Sequence, residues 1–176
     1  MTMMVQTSTD EAPELLARIE HRRVTGQDRW DEWWEGVYRI VTGPTVEHQR
    51  LLVALMKLLE ARLADPTMEV LPGINIGIDK LDARVPDIAI RRVDAPHTSR
   101  AFMAAADLVV EILSASERSH EKLPFYARWA ITDYIEIDID RRSVEILRNV
   151  DGAWLPTERC VVVDLSVDEV LALLPD

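Results

Sequence analysis

Apolar residues in this chain change their spacing several times, and each change marks an element. Between 45 and 63 they recur at Leu51, Leu52, Leu55, Leu58, Leu59 and Leu63, the period of an amphipathic helix. Pro44 precedes that stretch and Thr45 suits its N-cap, because a hydroxyl can accept from an N–H of the first turn. From Met68 onward the pattern becomes that of strands. Ile74, Ile76 and Ile78 alternate with Asn75 and Gly77, as on a half-buried strand. Residues 79–82 read as a turn. Two apolar runs, Val85–Ile90 and Leu108–Leu113, predict buried strands separated by a polar connection over 91–100, in which His97 is expected to be exposed. A helix is predicted from about 117 to 129. Pro124 falls inside it, and an interior proline costs about 3 kcal/mol, so the helix either starts near Lys122 or kinks. Residues 133–138 alternate as a strand, Val144 and Ile146 mark its hairpin partner, and 160–163 predicts another strand. Ser166–Glu169 is a capping-box pattern opening a final helix through Leu174. Towards the N-terminus, Pro13 opens a short helix over 13–19, and Gly36 leads into a strand over 37–41.

Helix, several strands, helix, strands and helix, without repeat or linker, predict a single α/β or α+β domain with a mixed central sheet. Residues 1–12 are expected to be a flexible tail and 13–176 the domain, a size sufficient for a real core. Hydrophobic residues make up 48% and charged residues 29%, which fits a globular protein rather than a disordered one. The formal net charge is −11, which argues against coating a phosphate backbone but only weakly against an enzyme with a local cleft. A lone cysteine, Cys160, excludes an internal disulfide and any cysteine-based zinc cage. No run approaches the ~18 apolar residues of a membrane span, and residues 1–12 lack the order of a secretory signal. A cytoplasmic location without membrane association is the expectation.

The chemistry concentrates in the two apolar runs, since each carries one carboxylate, Asp87 and Glu111. An acid in such a run is costly to bury unless something cationic neutralises it. Acids on neighbouring strands would converge and could share a divalent metal through hard oxygen ligands. Lys122 follows on the next helix, and the chain has only two other lysines, Lys57 and Lys80. The structural alternative is that Asp87 merely marks a strand entrance and Glu111 points outward. His48 falls on the helix face of Leu51, Leu52 and Leu55, as either a core residue or a polar group aimed at a buried site. Trp30, Trp33 and Trp34 could stack bases, cover one end of the core, or form an oligomer contact. An apolar patch there would support a homodimer.

Glu35-Gly36 before a strand, Pro44 with His48 on a long helix, Pro86-Asp87, Val110-Glu111-Ile112-Leu113-Ser114, Lys122, Tyr126 and Tyr134 to Asp138 together resemble the bacterial putative restriction endonuclease family of the PD-(D/E)XK nuclease superfamily. The resemblance covers about residues 30–140. It implies a restriction-endonuclease-like fold, a mixed central sheet flanked by helices. It further implies that Asp87, Glu111 and the backbone carbonyl of Ile112 bind Mg²⁺ or Mn²⁺. The superfamily lysine belongs two residues after the second acid, where this chain has Leu113. In the family resembled, a lysine one helix later is the candidate to take over, and Lys122 stands there. His48 matches the family's helix histidine. The activity implied is metal-dependent hydrolysis of DNA phosphodiesters, with Asp87, Glu111, Lys122 and His48 at the site. The competing expectations are a non-catalytic binding or assembly module on the same fold, and a metal-dependent hydrolase of a small phosphorylated molecule.

Overall fold

The structure is a computed structural model describing residues 3–4, 12–41, 43–77, 82–97, 102–103, 105–113 and 120–175. In chain order the elements are β1 (Met3–Met4), α1 (Ala12–Thr25), β2 (Glu32–Trp34), β3 (Val37–Ile40), α2 (Val46–Arg62), β4 (Met68–Pro72), β5 (Asn75–Ile76), β6 (Ile88–Arg92) and β7 (Phe102–Met103). They continue with β8 (Leu108–Leu113), α3 (Leu123–Arg128), β9 (Asp133–Asp138), β10 (Ser143–Val150), β11 (Ala153–Pro156), β12 (Arg159–Cys160), β13 (Leu165–Ser166) and α4 (Val167–Leu171). A six-stranded sheet in the order β11-β10-β9-β8-β6-β4 forms the centre. β8 and β9 are parallel and the other pairs antiparallel, so the sheet is mixed. The α/β class and the restriction-endonuclease-like arrangement are those expected.

Strand periodicity splits the core between the two faces of this sheet. Ile88, Ile90, Leu108, Val110, Ile112, Ile135, Ile137 and Ile146 pack with Leu51, Leu52, Leu55 and Leu59 of α2 and with Val170 of α4. On the opposite face Ala89, Val109, Tyr134 and Leu147 pack with Leu123, Phe125 and Tyr126 of α3. Glu111 lies two residues beyond Val109 on β8, and so shares the α3 face.

Thr45 caps α2 as expected, accepting from the N–H of His48 at 3.2 Å. The Ser166–Glu169 capping box is present at α4, although that helix stops at Leu171. α3 starts just after Lys122, with Pro124 in its first turn where no N–H is required. Residues 117–119 lie outside the described residues, as do Ile78, 79–81 and most of the proposed tail. Met3–Met4 pairs with β3.

Three expectations need correction. The strand over 74–78 is only Asn75–Ile76, paired with β7 outside the main sheet, and Met68–Pro72 is the sheet strand instead. The strand over 160–163 ends at Cys160, because the N–H groups of Val161 and Val162 turn to the Asp133 carboxylate at 2.7 and 3.4 Å. α1 runs on to Thr25, beyond the expected end at 19.

Each of the three tryptophans packs against another part of the chain. Trp33 packs on Tyr38 with ring centroids 4.9 Å apart. Trp34 carries the guanidinium groups of Arg39 and Arg84 over its ring at 3.4 and 4.1 Å. Trp30 lies so close to Gly73 that a Cβ there would fall 2.6 Å from the ring. All three are half-buried. Among the described residues, no helix is long and apolar enough to cross a membrane.

Candidate active site

β6 and β8 are antiparallel neighbours, and their ladder ends at the pair Ile88–Val110. Asp87 stands one residue before β6, at the strand entrance, and Glu111 one residue past the last paired position of β8. Beyond the ladder the N–H of Ile112 has no strand partner on that side, and it donates to Asp87 Oδ2 at 2.7 Å. In an extended strand the N–H and C=O of one residue project to the same edge. The carbonyl of Ile112 therefore faces the Asp87 side too. The other Asp87 oxygen, Oδ1, lies 3.0 Å from Nε2 of His48, which α2 brings in from the opposite sheet face. The backbone carbonyl of Asp87 accepts from Gly73 N at 3.0 Å.

Glu111 is met by two groups one helical turn apart, a spacing that puts both on one side of α3. Lys122 Nζ lies 2.9 Å from Glu111 Oε2, and the Tyr126 hydroxyl donates to Oε1 at 2.5 Å. Pro124 sits between them and fixes the backbone of that turn. A third carboxylate completes the group. Glu32 Oε1 is 2.9 Å from Lys122 Nζ. Val85 N donates to the same Glu32 oxygen at 2.8 Å, and Trp34 Nε1 donates to Oε2 at 2.7 Å. Arg39 holds the neighbouring Glu121 at 3.1 Å, tying the approach to α3 against β3.

The electrostatics are unbalanced towards negative charge. Glu111 is 6% exposed and Glu32 4%. The Glu111 pKa is raised to about 8, chiefly by burial; Asp87 and Glu32 add to the rise, and Lys122 and the Tyr126 hydrogen bond oppose it. Burial also raises the Tyr126 phenol well above its ordinary value, with Glu111 adding to the shift, so this hydroxyl keeps its proton and stays a donor.

Asp87, Glu111, Lys122 and His48 are thus brought to one place, with Ile112 between the acids. Leu113, where the superfamily lysine would be, is half-buried, and the ammonium group arrives from Lys122 instead. Sequence reasoning missed Glu32. Its contacts to Val85 and Lys122 come from distant parts of the chain, and its local setting beside Trp33 and Trp34 drew attention to the rings. Tyr126 was noted in the family pattern without a role. Its spacing of four from Lys122 is the signal that could have assigned it to the same carboxylate.

A family model described as "Uma2: Putative restriction endonuclease" matches residues 14–174. Among solved structures, the chain is similar to a putative nuclease belonging to DUF820 from Anabaena variabilis ATCC 29413. That match has a TM-score of 0.61 and 16% identity, covering 82% of this chain and 91% of the other. At that identity the likeness bears on the fold. No curated protein matches the chain.

Proposed function

The chain belongs to the Uma2 putative restriction endonuclease family, and on that premise we propose that it is a Mg²⁺- or Mn²⁺-dependent endonuclease hydrolysing DNA phosphodiesters. The observation that carries the reading is the placement of Lys122 Nζ 2.9 Å from both Glu111 and Glu32, beside an Asp87 seated on the Ile112 N–H. The donor set fits a hard divalent cation: two carboxylates and a backbone carbonyl gathered where the β6–β8 ladder ends. Each carboxylate oxygen already has a protein partner, but it has two lone pairs and can accept again.

A Mg²⁺ or Mn²⁺ held by Asp87, Glu111 and the Ile112 carbonyl would supply positive charge to polarise a scissile phosphate and activate water at neutral pH. The remaining work belongs to the chain. Ile112 N–H and His48 orient Asp87. Glu111 releases its proton when it takes up the cation, so affinity rises with pH towards about 8. Tyr126 holds one Glu111 oxygen in place. Lys122, steered by Glu32, orients the attacking water or donates to phosphoryl oxygens as the water oxygen bonds to phosphorus and the ester bond breaks.

A second reading, a non-catalytic binding module on this fold, is favoured by the net charge of −11 and by Leu113. Cleavage of duplex DNA separates the two. Lys122→Met is expected to keep metal-induced stabilisation and to lose cleavage by roughly two orders of magnitude or more. Parent protein that binds metal and cuts no DNA would overturn the nuclease reading. Equal cleavage by parent and variant would remove the role given to Lys122. The same reading includes a two-fold dimer, which would set one site against each strand of a duplex. Sedimentation of a monomer at micromolar concentration would exclude the dimer.

A further inference from the structure

The register of the sheet carries its acidic character beyond Glu111. Glu111 on β8 faces Glu136 on β9, and Glu136 faces Glu145 on β10. All three lie on the α3 face, by the same alternation that places Val109, Tyr134 and Leu147 there. Like charges directly opposite one another across a strand pair are destabilising, which bears here on Glu136 and Glu145. Burying one of them adds a desolvation cost, and Glu136 is only 6% exposed. The His120 imidazole lies beside both carboxylates, and a metal ion among the three would offset these costs further.

We propose that His120, Glu136 and Glu145 form a second metal site, taking a first-row transition ion of the Zn²⁺ type. One ligand atom from each lies within 4.8 Å of the others. His120 Nε2 is 2.6 Å from Glu145 Oε2 and 3.7 Å from Glu136 Oε1. Ligands sharing one zinc ion at about 2.0–2.2 Å stand roughly 3–4 Å apart. The longer contact is already in that range, and the shorter one needs to open by about 1 Å as the ion replaces a hydrogen bond.

Glu136 is held as a ligand would be. The Tyr134 hydroxyl and the His120 N–H both donate to its Oε2, at 2.8 and 3.2 Å, which turns Oε1 towards the imidazole. Such outer partners fix the orientation of metal-binding carboxylates. The side chains of His120 and Glu145 are 41% and 40% exposed, so an ion can enter from solvent and an open coordination position would face water. An imidazole with two carboxylates selects Zn²⁺ and its neighbours over Mg²⁺, which prefers oxygen ligands. Lys122 follows His120 by two residues, so an ion here would clip the segment carrying that lysine to the β9–β10 hairpin.

The full chain, stripped of metal, tests the proposal by calorimetric titration with Zn²⁺, alongside visible absorption of added Co²⁺. About one equivalent is expected to bind. Affinity should fall at least tenfold, roughly, in His120→Ala and in Glu145→Gln, the latter altering only a half-exposed carboxylate. It should survive in Asp87→Asn/Glu111→Gln and in His21→Ala and His97→Ala. Retention in the first double variant separates this site from the nuclease site, whatever the fate of that assignment. Absence of Zn²⁺ binding, unchanged binding in His120→Ala, or loss in the Asp87/Glu111 variant would overturn it.

Discussion

Glu111 and Asp133 stand on neighbouring strands of one sheet, and both are removed from water, at 6% and 0% exposure. Their surroundings differ in kind. Asp133 is saturated by Arg148 Nε at 3.0 Å and by the N–H groups of Val161 and Val162. Its carboxylate thereby fastens the chain after β12 to the sheet. Glu111 instead shares Lys122 with Glu32, and both Asp87 and Glu32 push its pKa upwards. A buried acid surrounded by donors is a fastener. A buried acid crowded by other acids, with one lysine between them, keeps its proton more tightly than that lysine alone would allow. The signature of the site is therefore the excess of like charge, and burial alone does not reveal it.

The largest expected effect falls on the fastener. Asp133→Ala leaves Arg148 and two N–H groups without their acceptor and should lower stability by about 3 kcal/mol or more. Thermal unfolding reads this, and a loss below about 1 kcal/mol would break the distinction. Next comes the response to metal. Mn²⁺ at a hundredfold excess over its dissociation constant should stabilise the parent by about 2.7 kcal/mol. The Asp87→Ala/Glu111→Ala protein should show no such shift, whereas an unchanged response would remove the site from this place.

The most gradual effect is a change with pH. Folding raises the Glu111 pKa from an ordinary 4.5 to about 8. Between those values the folded chain holds a proton that the unfolded chain has released. Glu111 therefore contributes less to stability as pH rises through this window. Glu111→Gln removes that penalty. Its stability relative to the parent should climb between about pH 5 and pH 9, by on the order of 1 kcal/mol for each pH unit crossed. A flat difference would show that Lys122 neutralises Glu111 fully.

What the sequence disclosed was local. Thr45, the Ser166–Glu169 box and Lys122 after a helix-incompatible stretch all signal ends of elements within a few residues of themselves. Glu111 declared itself by interrupting Val/Ile/Leu neighbours. Glu32 did not, because its meaning comes from Val85, 53 residues away. The end of the strand at Cys160 was equally hidden, since a carboxylate 28 residues earlier takes the N–H of Val161. β11 was missed for a different reason. Asp151-Gly152, with φ of 53° and 87°, is a strong hairpin-turn pair whose signal went unread.

Placing the cation on α3 separates two mechanical bodies. Asp87, Glu111 and Ile112 belong to the sheet or its immediate edge, whose geometry is set by ladders running through both cores. Lys122 belongs to the approach of a six-residue helix. A lysine at position 113 could not shift without distorting the strand that carries its neighbouring ligand. Lys122 precedes the first turn of α3, so a change in that approach alone would withdraw the ammonium group while Tyr126, within the helix, keeps its hold on Glu111. In the proposed nuclease, the ammonium group could then be removed from the site without unfolding the sheet that carries the carboxylates.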